Sequence, residues 1–89
     1  MNKPPHRELT GMAIFFFDIY DTGETILDPE GVELDGIDAA TDEAARALIE
    51  MANDIVPDGA WRDLAIKVRD AEGQEVAHVR ITVEVQSKT

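Results

Sequence analysis

The run MAIFFFDIYD, residues 12–21, constrains the fold more than any other stretch of the chain. It is short and rich in aromatic and β-branched side chains, so it reads as a strand. Period-two alternation sets Ala13, Phe15, Phe17 and Ile19 on one face, and Ile14, Phe16, Asp18 and Tyr20 on the other. Both faces are apolar. Such a strand belongs in the middle of a sheet, or in a sheet whose second face is covered by another molecule. Its uninterrupted apolar part, residues 12–17, falls far short of the roughly 20 residues that span a bilayer. Lys3 and Arg7 precede it, but Asp18 ends the apolar stretch and no small-residue cleavage site follows. The expectation is a cytoplasmic chain with no membrane association.

The remaining elements follow from turn chemistry and periodicity. Asp21-Thr22-Gly23 turns the chain. Residues 25–28 and 32–34 form a second strand, interrupted by Asp28-Pro29-Glu30-Gly31, whose Asp, Pro and Gly suit a type I turn. A proline there fits an edge strand or bulge. Residues 35–56 read as one helix, with Asp35 as N-cap and Asp38 in the first turn. Ile37, Ala40, Ala44, Leu48, Met51 and Ile55 form its apolar stripe. Arg46 stands four residues from both Asp42 and Glu50, suited to ion pairs. Pro57-Asp58-Gly59 ends the helix. Residues 62–70 and 75–85 are two further strands, joined by Asp70-Ala71-Glu72-Gly73, a second Asp-x-x-Gly turn.

The order is ββαββ. It predicts an α+β fold: a four-stranded antiparallel sheet, in the order 2-1-3-4, with one helix packed on one face and crossing the first strand. A chain of 89 residues holds one domain, here residues 12–86, with polar tails at 1–11 and 87–89. It contains no cysteine, which excludes a disulfide framework and Cys-based zinc sites.

Three segments together, FFFDIYDTGE, LDPEGVELDGIDAATDEAARAL and IKVRDAEGQEVAHV, resemble a family of small bacterial proteins of unknown function found mainly in rhizobia and related soil bacteria. The shared pattern is an aromatic pair followed by Asp, an Asp-x-x-Gly-hydrophobic-Glu-Leu stretch, an Ala-rich helix and a Val-x-Asp-x-x-Gly hairpin. The resemblance covers about residues 12–85 and implies a stand-alone ββαββ domain. It implies no activity and no catalytic residue. The extra N-terminal segment and the acidic first half depart from the pattern.

Charge placement narrows the function. The net charge is −11, and residues 8–45 hold eleven acids with no Lys or Arg. That sign opposes direct binding to nucleic acid or anionic lipid. The acids read first as a solvated face and second as a docking surface for a basic partner, carried by Asp21, Glu24, Asp28, Glu30 and Glu33. The partner in that second reading is a basic nucleic-acid-binding protein, and the chain its acidic decoy or antitoxin-like inhibitor. A weak divalent-metal site from Asp18, Asp21, Asp28 and Glu30 on the first hairpin is a third reading, although the spacing from Asp28 fails the EF-hand pattern. No cofactor motif is present, and nucleophilic catalysis is poorly supplied: the one serine is Ser87 and the histidines are His6 and His78.

The outer sheet face offers a different possibility. Ile14, Phe16 and Tyr20 lie on the side that a single helix cannot cover, and Lys67, Arg69, His78 and Arg80 join them by parity. The expectation is a non-enzymatic interaction or regulatory module that self-associates as a homodimer through this face, or meets another protein there.

Overall fold

A computed structural model of the protein describes residues 12–54, 61–86 and 88. In chain order the elements are β1 (Met12–Asp21), β2 (Glu24–Ile26), β3 (Val32–Asp35), α1 (Gly36–Asn53), β4 (Trp61–Arg69) and β5 (Glu75–Glu84). Among the described residues the class is α+β, with one helix on an antiparallel sheet. The sheet order is β2-β1-β4-β5, and β3 also pairs with β1. The expected second strand is therefore two strands, and the sheet has five rather than four. The break is physical: Pro29 has no N–H for a ladder, and Asp28 turns its carboxylate onto the backbone instead.

β1 is central, as its two apolar faces require. Its residues 16–21 pair with β4, while the opposite edge pairs with β3 at residues 12–15 and with β2 at residues 19–21. Phe17 faces Val68 and Ile19 faces Ile66 across the β1–β4 ladder. Leu64, Ile66 and Val68 in turn face Ile81, Val79 and Ala77 of β5. These side chains form the floor of the core. Ala40, Ala44 and Leu48, spaced by four, press α1 onto that floor, and Phe15 closes one end.

Several expectations for the helix and for β1 are corrected. It lies chiefly over β4 and β5 rather than across β1. Small alanines at positions 40 and 44 let it approach the Leu64/Ile66/Val68 row closely, and that row is the most buried part of the sheet. Asp35 does occupy the N-cap position, but its side chain caps nothing, because ψ 70 is not the usual cap conformation. Ile37 stands outside the core at 48% exposure. Ala13, expected on the inner face, is exposed at the open end of β1. Arg46 reaches Asp42 at 2.6 Å and Glu43 at 4.0 Å rather than Glu50. The predicted turn at 70–73 is present: Gly73 N–H donates to the Asp70 carbonyl (3.0 Å), and the Asp70 carboxylate accepts from the amides of Glu72 and Gln74. The N-terminal tail, Ile55 and the Pro57-Asp58-Gly59 stop lie outside the described residues, as does all of the C-terminal tail except Lys88.

Candidate functional site

Asp18 sits mid-strand among phenylalanines and is only 5% exposed, so its charge needs a partner. Arg69, its neighbour on the adjacent strand, supplies one. The Arg69 Nε–H donates to Asp18 Oδ2 (2.5 Å) and Nη2–H to Oδ1 (3.1 Å), a two-pronged contact suited to guanidinium. The guanidinium also lies 4.8 Å from the Phe16 ring centre and donates to the Asp28 carbonyl (3.4 Å). The Asp28 N–H completes the set by donating to Asp18 Oδ1 (2.9 Å). The Arg69 hydrogen bond holds the Asp18 carboxyl below its ordinary range, against the opposing effect of burial.

Asp28 has a different task. Along β1, alternate peptides face opposite edges, and Phe17 turns its N–H toward the side where β2 and β3 pair. It falls between their two ladders, opposite the Pro29 break. The Asp28 Oδ2 accepts that orphan N–H (3.1 Å), while Oδ1 accepts from Glu30 (3.0 Å) and Gly31 (3.2 Å). One carboxylate thus bridges the gap in the sheet edge. Burial pushes the Asp28 carboxyl up, but the three amides and Arg69 outweigh it, and the net direction is down. Gly31 closes the turn at φ +77, packed so tightly that a Cβ would stand 2.8 Å from Ile14 and 2.9 Å from Phe16.

Asp21 pairs with Arg62 through two bonds of 2.8 Å, and that contact lowers its carboxyl. The acids of the first hairpin therefore divide. Asp18, Asp21 and Asp28 are held by arginines and backbone amides, whereas Glu24, Glu30 and Glu33 stand exposed at the surface. Among the described residues, no group of three or more His, Asp or Glu side chains is placed to hold a metal ion.

The outer face gathers the residues expected there, but ties many of them within the chain. Phe16 lies under Arg69, and Lys67 stands 5.8 Å from the Tyr20 ring centre. Arg80 bonds to Asp63 (3.1 Å) and His78 lies 3.5 Å from Glu75. Ile14 remains 44% exposed. The basic strip is thus present and largely neutralised by neighbours.

The feature that sequence reasoning missed lies on the other side of the sheet. A groove of about 450 Å³ opens between α1 and the β2–β3 arm. Its floor is Phe17, Ile19, Val32, Ala47, Met51 and Ile66; its rim is Asp28, Glu43, Glu50 and Asp54. Ile26 and Leu27 stand exposed, at 61% and 65%, on the arm. A signal was available. Glu43, Ala47, Glu50, Met51 and Asp54 recur at helical spacing as a stripe of their own, three acidic and two apolar. Among the described residues, no helix is long and apolar enough to cross a membrane.

Comparison with known families places this geometry in context. The chain belongs to the family described as a domain of unknown function, DUF6894, whose pattern matches residues 14–82. That span runs from the Asp18–Asp28–Arg69 cluster through the groove and most of β5. No curated protein and no solved structure matches the chain.

Proposed function

We propose that the protein is a non-enzymatic, cytoplasmic interaction module that holds a basic, partly apolar segment of a partner protein in the groove between α1 and the β2–β3 arm. The observation that carries this reading is the pairing of an apolar floor with a rim of only carboxylates. An apolar floor offers area to bury, and the rim selects the sign of the charges that flank it. The helix adds to the field. Its C-terminal end carries the negative pole of the backbone dipole, no basic residue stands in its last turn, and Glu50 and Asp54 lie there instead. Such an arrangement costs helix stability and favours a bound Lys or Arg.

The non-enzymatic part rests on how the acids are used. Asp18, Asp21 and Asp28 are each committed to an arginine or to amides, and their carboxyls are lowered, the wrong direction for a general acid at neutral pH. The cytoplasmic assignment is in keeping with a sequence without cysteine. The groove reading keeps the basic partner expected from the charge, but moves the docking surface from the exposed hairpin acids to the rim. It also disfavours the outer face, where the chain's own cations cover the aromatic rings.

The test is calorimetric titration with two synthetic peptides, one amphipathic in Leu and Lys and one with Glu replacing Lys. The Leu/Lys peptide should bind, more weakly as salt rises, and Met51→Glu should abolish the binding without altering the circular dichroism spectrum. Equal binding of both peptides, or undiminished binding to the variant, would overturn the reading.

A further inference from the structure

We infer that β5 is a self-pairing edge, and that a second copy of this chain docks on it antiparallel, with Thr82 on the two-fold axis. The two edges of the sheet differ sharply. On one side β2 and β3 are short, and Pro29 with its turn interrupts them. On the other, β5 runs ten residues with no proline, and its pairing with β4 is regular from Ala77 to Glu84. Among the described residues, no strand pairs with the outer side of β5. Long, regular, open edges of this kind are usually blunted by bulges, proline or inward charges; in β5 the one irregularity lies at the Glu75 end.

The backbone direction is fixed by contacts elsewhere in the sheet. Thr22 N–H donates to the Asp63 carbonyl, so the peptide groups of Asp63 face β1. Alternation then turns Leu64 and Ile66 toward β5, where Ile81 and Val79 meet them. Arg80, Thr82 and Glu84, one position out of phase, aim their N–H and C=O groups at the open edge. These are the groups a partner strand would bond.

Side-chain chemistry selects the register. With Thr82 opposite its own copy, Arg80 stands opposite Glu84 twice by symmetry, on the outer face. On the helix face Ile81 meets Val83, and Val79 meets Val85, which is 47% exposed in the single chain. Centring the axis on Arg80 would set like charges opposite each other, and centring it on Val83 would pair Arg80 with Gln86. The long-range field agrees. Residues 46–89 carry a net charge of only −2, so two copies meet through their least charged half. This surface lies apart from the groove and does not depend on it.

Sedimentation velocity on the full chain, from low micromolar to near-millimolar protein, tests the inference. The wild type should shift from monomer to dimer. Glu84→Arg should weaken the dimer by about tenfold or more, and combining it with Arg80→Glu should restore the affinity to within a few-fold. Because Arg80 also bonds Asp63, that double variant is checked for folding by circular dichroism. Thr82→Pro supplies an independent arm: its ring would fill the position of an N–H that the β4 ladder does not use, so the monomer should fold and fail to dimerise. A wild type that stays monomeric throughout, or a dimer that persists in both Glu84→Arg and Thr82→Pro, would overturn the inference. Retained Leu/Lys peptide binding by Thr82→Pro would separate this edge from the groove.

Discussion

Replacing Asp28 by alanine removes the acceptor of three backbone amides at one stroke. The Phe17 amide is part-buried, and losing a charged acceptor there costs about 1.5–3 kcal/mol. The Glu30 amide is at the surface and the Gly31 amide close to it, so water replaces part of their loss, leaving about 0.5 kcal/mol each. The sum is about 3 kcal/mol, a large share of the stability of a domain this small. By the usual scaling for 60–100 residues, the melting temperature should fall by roughly 12–24 °C. Asp28→Asn separates charge from geometry. Its carbonyl can still serve the turn, but its NH₂ group then confronts the Phe17 N–H, donor against donor, so about 2 kcal/mol should be lost. Urea unfolding followed by circular dichroism gives both values. Amide hydrogen exchange at Phe17 gives the local one, and it should quicken more than exchange in β4. A loss below about 0.5 kcal/mol in Asp28→Ala, or unchanged exchange at Phe17, would refute the bridging role of this carboxylate.

Three further perturbations have definite outcomes. Gly31→Ala should lower stability by about 2 kcal/mol, since the new methyl needs both a left-handed backbone and room that Ile14 and Phe16 occupy; a melting curve checks it. Asp21→Ala should cost no more than about 1 kcal/mol despite its two short bonds to Arg62, because both partners are about one-third exposed; urea midpoints compared with Asp28→Ala show the contrast. Asp18, Asp21 and Asp28 have carboxyls below the ordinary 3.8, so their stabilisation is complete above that pH and is lost as acid carries the solution down through their folded values. Relief of self-repulsion from the net charge of −11 acts in the opposite sense, so the measurement is the difference in urea midpoint between wild type and Asp18→Asn, which should narrow below about pH 4.

Much of the architecture was legible in sequence because local signals agreed with one another. The alternation in residues 12–21 marked the central strand, and the turns at 21–23 and 70–73 join strands that do pair, β1 with β2 and β4 with β5. What remained hidden depended on tertiary approach. Asp18 read as the end of an apolar stretch and as a candidate metal ligand, because nothing local shows that Arg69, fifty-one positions away, arrives beside it. Asp28 looked like ordinary turn punctuation, since nothing local reveals that its second oxygen reaches back to Phe17. The groove was obscured for another reason. Met51 was legible as apolar and Glu50 as polar, but their meeting across from the β2–β3 arm follows from the helix lying over β4 and β5, a placement set by how closely Ala40 and Ala44 approach the sheet.

The central position of β1 has a consequence for how the chain is made. Among the described strands β1 leaves the ribosome first, yet one of its edges waits for β4, which begins forty residues after β1 ends. For that interval the nascent chain displays its three consecutive phenylalanines beside an unpaired edge, the kind of segment that seeds aggregation. The residues synthesised during the wait are the acidic ones. Electrostatic repulsion between neighbouring nascent chains then guards the exposed strand until its partner emerges, a service the acids render before the fold exists.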